Sequence, residues 1–444
     1  MDIIEQAISR ASDTKAAVIG KGAISKTPEM FRKLFGDKKA IVVADVNTYA
    51  VVGKNVMTEL SYAGIETVSP YIFTDPDLYA EWGFLTSLEQ HLAGIDAIAV
   101  AVGSGVINDL TKLASHRLGR RYMIVGTAAS MDGYTAYGAS VSFEGNKQTF
   151  DCRAPLGIVF DPVVAAGAPK DLAASGYADL IAKVPAAADW MIADELAVEP
   201  IDDFAFSLVQ DNLRKALADP EAVFNGDVQA TSDLAEGLIM SGFAMQAIQS
   251  SRPASGVEHQ YSHYWDMENL CIDGRHVSHG FKVGIGTLVS TASLEFLLGF
   301  DMASLDVDKC VAQWPEWEQM AEEIARMCAG NDGLLSRCLT ESRAKYIDRN
   351  QLRAQLNRLV ECWPHLKQRI ADQILPYDDV FDRLRKVHAP YLPAMINIDR
   401  EHLRTTYRAI PYMRSRFTHA DIVLRCGLLN QLEEYLFDAP GHKF

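Results

Sequence analysis

Short apolar runs alternate with longer mixed segments through the first third of the chain. Stretches such as AIAVAVG are apolar at almost every position and contain several β-branched residues. Continuous apolar runs of this kind are typical of strands in a parallel sheet, which is covered on both faces. The pattern therefore predicts an α/β domain with strands at Ala16–Gly20, Ala40–Asp45, Thr67–Phe73, Ala97–Gly105, Tyr122–Gly126 and Gly157–Asp161.

Two shorter patterns lie within this region. The segment Val106–Leu118 has helical spacing and ends at Gly119, a residue type that is common just after helix C-termini. The runs Ala139–Phe143 and Lys147–Cys152 flank Glu144-Gly145-Asn146, which predicts a β-hairpin. The alternation of parallel strands and helices is therefore interrupted once, by an antiparallel pair.

After Pro162 the apolar positions recur with the spacing of helices rather than strands. Turn-forming sequences such as Asp219-Pro220 and Asn331-Asp332-Gly333 punctuate these segments. We therefore place a domain boundary near Asp161-Pro162, between an α/β domain at 1–162 and an all-α domain at 163–444. The predicted helices are Leu172–Leu196, Asp203–Leu217, Val228–Ser250, Phe281–Leu297, Trp317–Cys328, Gln351–Leu375 and Tyr377–Val387.

The amino-acid composition indicates which kind of protein this is and which kinds of binding partner are disfavoured. The 444 residues carry a formal net charge of −16, and 48% of them are hydrophobic and 23% charged. This balance is typical of a globular protein and disfavours nucleic acid as a partner. The N-terminus does not resemble a secretory signal, no apolar run reaches the length of a membrane span, and the seven cysteines include no Cys-x-x-Cys pair. We therefore expect reduced thiols, a cytoplasmic location and no membrane span.

A glycine-rich turn follows the predicted strand that begins at Ala97. The sequence Gly103-Ser104-Gly105-Val106-Ile107 leads from this strand into a helix. Glycines at such a turn let the backbone approach a pyrophosphate, and the helix N-terminus favours its negative charge. The strict dinucleotide fingerprint has a third glycine where Asn108 stands here, so an ordinary tight turn is the alternative.

Two other strand ends carry polar groups. The strand that ends at Gly126 continues into Thr127 and Ser130, whose hydroxyl groups are candidate cofactor contacts, and into Asp132, a candidate partner for a substrate hydroxyl. Asp45 closes an earlier strand, where a carboxylate commonly accepts a hydrogen bond from an adenosine ribose. Helix capping is the alternative role for these side chains.

The segment from Arg252 to Thr287 contains four of the eleven histidines. His259 and His263 are four residues apart and share one face of a predicted helix, and His279 precedes a glycine-rich apolar run. Imidazole is a common ligand of transition metals, so this segment is a candidate metal site. The spacing does not match the His-Glu-x-x-His motif of zinc proteases, and separate hydrogen bonds for each histidine are the alternative.

Asp179 is an isolated acid within the apolar helical stretch SGYADLIAK. A carboxylate buried in such a stretch needs a partner. One candidate partner is Lys183, four residues later, in a salt bridge. The other is a metal ion shared with the histidines.

Five motifs occur together in order: GSGVINDLTKLASHRLG, TAASMDGYTAYGAS, SGYADLIAK, RPASGVEHQYSH and HVSHGFKVGIGT. With them the chain resembles the glycerol-1-phosphate dehydrogenase family, within the dehydroquinate synthase-like and iron-type alcohol dehydrogenase superfamily. The resemblance covers residues 16–290, and Arg414–Leu429 more loosely resembles the closing helix of the family. It implies a dehydroquinate synthase-like fold, with an N-terminal Rossmann-like nucleotide-binding domain and a C-terminal helical metal-binding domain.

The resemblance also implies roles for individual residues. It places a divalent metal, zinc or nickel with iron as a further option, on Asp179, His259 and His279. Substrate contacts fall on Asp132, Asp179 and His263, and Asp132 and His263 are the catalytic candidates. The family often has Gly where Ser104 stands, and often Ser where Ala136 stands, which removes a hydroxyl contact. Contacts to NAD or NADP fall on Asp45, Asn47, Gly103, Ser104, Gly105, Val106, Ile107, Thr127, Ala128, Ala129, Ser130 and Ala136.

The implied reaction interconverts sn-glycerol 1-phosphate and dihydroxyacetone phosphate in a homodimer or a higher homo-oligomer. A metal with an open coordination position polarises the ketone, the nicotinamide supplies hydride, and His263 is placed to relay the proton. The small phosphorylated substrate requires cations, for which Arg252, Lys147 and Lys282 are candidates by position. Solvated surface charge is the alternative for each of the three.

Three other functions stay open at this stage. A dehydrogenase of a related polyol or phosphonate uses the same parts. A lyase of the dehydroquinate synthase type shares the fold, NAD and the metal, but draws its ligands as Glu, His and His, whereas Asp179 stands first here. A non-catalytic descendant is the third, and the intact set of Asp and His residues argues against it.

Overall fold

The computed structural model describes residues 3–144 and 146–444, so Gly145 of the predicted hairpin turn lies outside the described residues. The strands in chain order are β1 (Ala16–Ile19), β2 (Ala40–Asp45), β3 (Tyr71–Phe73), β4 (Ile98–Gly103), β5 (Tyr122–Gly126), β6 (Ala139–Phe143), β7 (Asn146–Phe150), β8 (Gly157–Phe160), β9 (Cys271–Ile272) and β10 (Arg275–His276). Six of them form one sheet in the order β1-β8-β5-β4-β2-β3.

Every pairing in the six-stranded sheet is parallel. Strand residues such as Val42, Val100 and Val125 are almost fully buried, as expected for a sheet covered on both faces. Strand β4 lies between β2 and β5, so the carboxyl ends of these three strands meet at one edge. The polar and glycine-rich strand ends noted in the sequence are therefore neighbours.

Strand β3 is shorter than the predicted Thr67–Phe73. Pro70 has no amide hydrogen to donate to a neighbouring strand, and the regular strand begins only at Tyr71. The backbone before the proline still contacts β2, because Val68 N donates to Ala40 O at 3.0 Å. The predicted hairpin is confirmed as β6 paired with β7, in the antiparallel register Ala139↔Phe150 to Phe143↔Asn146.

Helices make up most of the remaining chain. In chain order they are α1 (Ile3–Arg10), α2 (Thr27–Phe35), α3 (Val46–Thr48), α4 (Lys54–Tyr62), α5 (Trp82–Ala93), α6 (Gly105–Arg117), α7 (Pro162–Ala166), α8 (Lys170–Ile181), α9 (Lys183–Glu195), α10 (Asp203–Gln210), α11 (Leu213–Ala216), α12 (Pro220–Asn225), α13 (Val228–Ile248), α14 (Val257–Met267), α15 (His279–Gly299), α16 (Val307–Gln313), α17 (Trp317–Met327), α18 (Asp332–Lys345), α19 (Arg349–Gln373), α20 (Tyr377–Lys386), α21 (Arg400–Ala409), α22 (His419–Arg425) and α23 (Leu429–Phe437).

The predicted long helix Leu172–Leu196 is two helices, α8 and α9, which are separated at Ala182. Pro185 lies in the first turn of α9. Its missing amide hydrogen cannot bond to the carbonyl of Ile181, so an uninterrupted helix would lose a hydrogen bond there. The prediction of one helix was wrong for this reason, although both halves are helical.

The described chain packs as two compact units. One contains Phe204–Ser251, Lys386–His388 and the described part of Met1–Leu180, and the other contains Ile181–Asp203, Arg252–Arg385 and Ala389–Phe444. The first unit includes the parallel sheet. The second is built almost entirely from helices. The predicted domains 1–162 and 163–444 stay a prediction.

Helices α14 and α15 pack closely against each other in the second unit. Gly286 of α15 faces the backbone of Glu258, and a Cβ atom added to Gly286 would lie 2.4 Å from Glu258 O. By length and composition α15 could cross a membrane, contrary to the expectation that no run is long enough. However, 78% of its most apolar window is buried inside the protein, as in the core helix of a packed domain.

We expect Gly286→Ala to destabilise the protein by about 1–3 kcal/mol, because a methyl group must push against backbone rather than a flexible side chain. Gly299→Ala is the matched control on the same helix, since no atom lies within 4 Å of a Cβ added there. The midpoint of urea unfolding measures both. A midpoint for Gly286→Ala equal to that of the control would show that α14 and α15 do not pack this tightly.

Candidate functional site

The glycine-rich turn joins β4 to α6. A Cβ atom added to Gly103 would lie 2.6 Å from Ile107 Cβ, so glycine is required for α6 to begin this close to the strand. Ser104 is the residue that precedes the helix, and its side chain makes no capping hydrogen bond. The turn therefore has the tight backbone path of a pyrophosphate loop, and its predicted cofactor contacts stay predictions.

Asn108, which stands where the third glycine of the fingerprint would be, is fully buried. Its amide Nδ2 donates to Gly133 O at 3.3 Å, and its Oδ1 accepts from the hydroxyl of Tyr122 at 2.9 Å. The side chain thus ties α6 to the loop that follows β5. This departure from the fingerprint has a structural reason.

Asp45 caps the short helix α3. Its Oδ1 accepts from the amides of Asn47 at 2.8 Å and Thr48 at 2.9 Å, and its Oδ2 accepts from Thr48 Oγ1 at 3.0 Å. Asp45 therefore has the helix-capping role that was the alternative to a ribose contact. Oδ2 accepts the one hydrogen bond from Thr48 Oγ1 and has a second lone pair, so the predicted contact of Asp45 with a ribose stays a prediction.

Asp132 and Asp179 lie side by side. The backbone amide of Asp132 donates to Asp179 Oδ2 at 3.0 Å, and Ser241 Oγ donates to Asp132 Oδ2 at 3.0 Å. Asp179 is fully buried and Asp132 nearly so. Gly176 makes the approach possible, because a Cβ atom there would lie 2.0 Å from Ala129 O. Ser241 was not among the site residues predicted from the sequence, where it is only an isolated serine within the apolar α13.

His259 and His279 are neighbours on α14 and α15, with ring centroids 5.3 Å apart. His259 Nδ1 lies 2.8 Å from Glu258 Oε1, and His279 Nδ1 lies 3.3 Å from Ser262 Oγ. A partner at Nδ1 is the arrangement that commonly presents Nε2 of a histidine ring to a metal ion. Glu258 was not among the site residues predicted from the sequence, where it is notable only as an acid directly before a candidate ligand.

Asp179, His259 and His279 form a group of potential metal ligands. One ligand atom from each lies within 4.8 Å of the others. A carboxylate and two imidazoles are a donor set that zinc, nickel and iron accept, and three protein ligands leave a position open for substrate. The residues present therefore fit the divalent metal that the resemblance implies.

His263 lies one turn after His259 on α14 and is partly buried. Burial and the positive charges of Arg414 and Arg337 hold the pKa of His263 well below its ordinary value. The neutral imidazole therefore dominates at neutral pH. Since the folded protein binds this proton less readily than the unfolded chain, His263 contributes to a loss of stability as the pH falls below about 6.5.

Arg252 and Lys282, which are candidate phosphate cations, have structural partners. Arg252 is fully buried and donates from Nη2 to Asp189 O at 2.8 Å and from Nη1 to Phe417 O at 2.9 Å. Lys282 is buried in a close ion pair with Asp266. These contacts assign Arg252 and Lys282 to the core of the helical unit, not to its surface.

The iron-containing alcohol dehydrogenase family matches this chain at residues 18–169. The NAD(P)+ glycerol-1-phosphate dehydrogenase of Halalkalibacterium halodurans is 35% identical over 283 residues, which span 62% of this chain and 69% of that protein. The enzyme of the same name from Bacillus licheniformis is 32% identical over 320 residues, 70% of this chain and 78% of that protein. The chain belongs to the glycerol-1-phosphate dehydrogenase family.

Membership of the glycerol-1-phosphate dehydrogenase family confirms the predicted resemblance and the oxidoreductase class. Solved structures confirm the predicted fold class. Glycerol dehydrogenase from Schizosaccharomyces pombe superposes with a TM-score of 0.59 at 17% identity, covering 96% of this chain and 91% of that one. Maleylacetate reductase from Agrobacterium tumefaciens superposes with a TM-score of 0.58 at 12% identity, covering 95% and 96%.

We expect His259→Ala and His279→Ala each to weaken metal binding by at least about the 10- to 100-fold that the loss of a residue supporting a ligand costs. Elemental analysis of the dialysed proteins measures the metal that remains. His276→Ala is the matched control, because His276 lies exposed on β10 in the same segment. Undiminished metal in both ligand variants would show that the two histidines do not bind the ion.

Proposed function

We propose that this protein is a metal-dependent, NAD(P)-linked dehydrogenase that interconverts sn-glycerol 1-phosphate and dihydroxyacetone phosphate. The observation that carries the proposal is the group Asp179, His259 and His279, with His263 one turn from His259 on α14. The names of the relatives support the substrate, since the H. halodurans and B. licheniformis proteins are both glycerol-1-phosphate dehydrogenases.

In this proposal Asp179, His259 and His279 hold one divalent ion. When bound, the metal supplies Lewis-acid polarisation of the ketone and the nicotinamide supplies the hydride. Glu258 accepts the hydrogen of His259 Nδ1, which directs Nε2 of that ring towards the ion. Ser241 holds the carboxylate of Asp132 in place for a substrate hydroxyl.

His263 moves the proton. In the oxidation, its neutral imidazole accepts the hydroxyl proton of the alcohol, and in the reduction the protonated ring returns a proton to the new alkoxide oxygen. The lowered pKa of His263, caused by burial and by Arg414 and Arg337, favours the form needed for oxidation at neutral pH. His263 is not needed as a ligand, because three other side chains serve the metal.

The carboxyl edge of the parallel sheet is the proposed dinucleotide site. Gly103 to Ile107 would contact the pyrophosphate at the start of α6, and Thr127 to Ser130 would contact the cofactor from the next strand end. Asp45 and Asn47 would meet the adenosine ribose. The adjacency of β2, β4 and β5 supports this arrangement. A homodimer or higher homo-oligomer and a cytoplasmic location belong to the same proposal.

We expect the purified, metal-loaded protein to oxidise NADH when dihydroxyacetone phosphate is added, with sn-glycerol 1-phosphate as product. The Michaelis constant should be lower for NADH than for NADPH, because Asp45 accepts from a ribose 2′-hydroxyl and repels a 2′-phosphate. Absorbance at the nicotinamide band and chiral analysis of the product measure both.

Other outcomes of this assay are equally specific. Turnover of a related polyol or phosphonate in place of the triose would assign a different substrate to the same class of reaction. Turnover of substrate without net NADH formation would indicate a lyase of the dehydroquinate synthase type. A preference for NADPH would reject Asp45 as the selecting residue.

We expect His263→Ala to keep its metal and its affinity for NADH but to lose on the order of 10²–10⁴ in turnover, the usual value of a general acid–base group. The deficit in ketone reduction should shrink at lower pH, where solvent supplies the proton. Bound metal, melting temperature and turnover are measured on this one variant. A parallel fall in metal, stability and activity would mean that His263 is structural.

A further inference from the structure

Lys112 of α6 is a buried lysine whose charged end holds backbone. Only 1% of the residue is exposed. Its Nζ donates to the carbonyl oxygens of Gly133 at 2.8 Å, Ala136 at 2.9 Å and Gly138 at 3.0 Å. An ammonium group has three N–H donors, so these three carbonyls use its full hydrogen-bonding capacity. Lys112 therefore holds the loop that follows β5 at three points.

The charge of Lys112 has a partner one turn earlier on the same helix. Asp109 Oδ1 lies 3.9 Å from Lys112 Nζ, and Asp109 Oδ2 accepts from the amide of Ser140 at 3.3 Å. Without the ammonium, three loop carbonyls would point at one another and at a carboxylate in a buried place. Buried acceptors that lack a donor are unfavourable, so the loop backbone would turn towards other donors.

The loop that Lys112 holds begins with the single 3₁₀ turn Asp132–Tyr134. Asp132 N donates to Asp179 Oδ2 at 3.0 Å, which places the start of this turn against a predicted metal ligand. Asn108 shares a face of α6 with Lys112, and its Nδ2 donates to the same Gly133 O at 3.3 Å. Two donors of α6 therefore fix the carbonyl of the residue next to Asp132.

Helix α13 holds other groups of the same loop. Ser241 Oγ donates to Asp132 Oδ2 at 3.0 Å, and Thr135 Oγ1 donates to Ile239 O at 2.7 Å. Gln246 Nε2 also donates to Thr135 O. Helix α13 thus fixes the side chain of Asp132 and both polar groups of Thr135, whereas the three carbonyls directed at α6 depend on Lys112.

We propose that Lys112 is a positioning residue for the metal centre. By holding the loop backbone it keeps the Asp132 amide on the Asp179 carboxylate and the Asp132 side chain in place for a substrate hydroxyl. The inference rests on the proposed function, because Asp132 and Asp179 have their roles there. A hydrogen bond to a ligating carboxylate orients it, and the loss of such support costs about 10- to 100-fold in metal affinity or activity. Lys112 acts through the loop and is not itself a ligand.

The test replaces Lys112 with methionine, which removes the ammonium and keeps an unbranched side chain. We expect the affinity of the metal-free protein for Zn²⁺ to fall about 10- to 100-fold, because Asp179 loses the support of the Asp132 amide. Competition with a chromophoric chelator measures it. At zinc concentrations that saturate both proteins, kcat/KM for dihydroxyacetone phosphate should still be on the order of 10- to 100-fold lower, since Asp132 is displaced as well.

Arg120→Met is the matched control. Arg120 follows α6 and also holds backbone, because its Nη1 donates to Leu92 O and to Ile95 O, both at 2.7 Å. These acceptors belong to the end of α5 and the residues after it, not to the loop of Asp132. Both variants should lower the midpoint of urea unfolding, and only Lys112→Met should lower the affinity for Zn²⁺.

Lys112→Arg keeps the charge beside Asp109 but replaces the compact ammonium with a planar fork, which cannot direct three N–H groups at three carbonyls around one point. Its affinity for Zn²⁺ should lie between those of the wild type and of Lys112→Met. If Lys112→Met does not fold, the arginine variant carries the test, and a wild-type affinity for Zn²⁺ in that variant would overturn the proposal.

The outcomes separate this inference from the proposed function. If Lys112→Met binds Zn²⁺ within about twofold of the wild type, the positioning role is wrong while the dehydrogenase stands. The same holds if Arg120→Met loses as much affinity for Zn²⁺ as Lys112→Met, since the loss would then reflect stability alone. If the wild type neither binds Zn²⁺ nor reduces dihydroxyacetone phosphate, the proposed function fails and the role of Lys112 fails with it.

Discussion

The close contact between α14 and α15 is the constraint on which the histidine pair depends. Gly286 lets the backbone of α15 lie against that of Glu258, at a distance that any side chain would prevent. The two helices then place His259 and His279 with ring centroids 5.3 Å apart. A metal site needs its ligands held before the ion arrives, and packed helices hold side chains more precisely than loops do.

Buried charges fix where α14 begins. Asp189 Oδ2 accepts from Val257 N at 2.9 Å, and Asp189 Oδ1 accepts from His419 N at 2.7 Å and lies 2.8 Å from His419 Nδ1. Burial alone would raise the pKa of Asp189, but the charge and hydrogen bonds of His419, together with Arg252, hold it below its ordinary value. An ionised carboxylate this deep is stable only with such partners. It thereby ties α9, α14 and α22 together.

The parallel sheet and the histidine segment could be predicted because their signals are local. A continuous apolar run specifies a buried strand, and two histidines four residues apart share a helix face wherever that helix packs. The role of Gly286 could not be assigned from the sequence, since it arises from the backbone of Glu258, which only folding brings close.

The most direct test of the metal-centred account is anomalous diffraction from crystals of the zinc-loaded protein. The account predicts one ion per chain, with Nε2 of His259 and of His279 at about 2.0–2.1 Å and a carboxylate oxygen of Asp179 at about 2.0–2.2 Å. It also predicts that no side chain of the protein takes the fourth position. An ion bound elsewhere, or one at this position that lacks either histidine, would contradict the account.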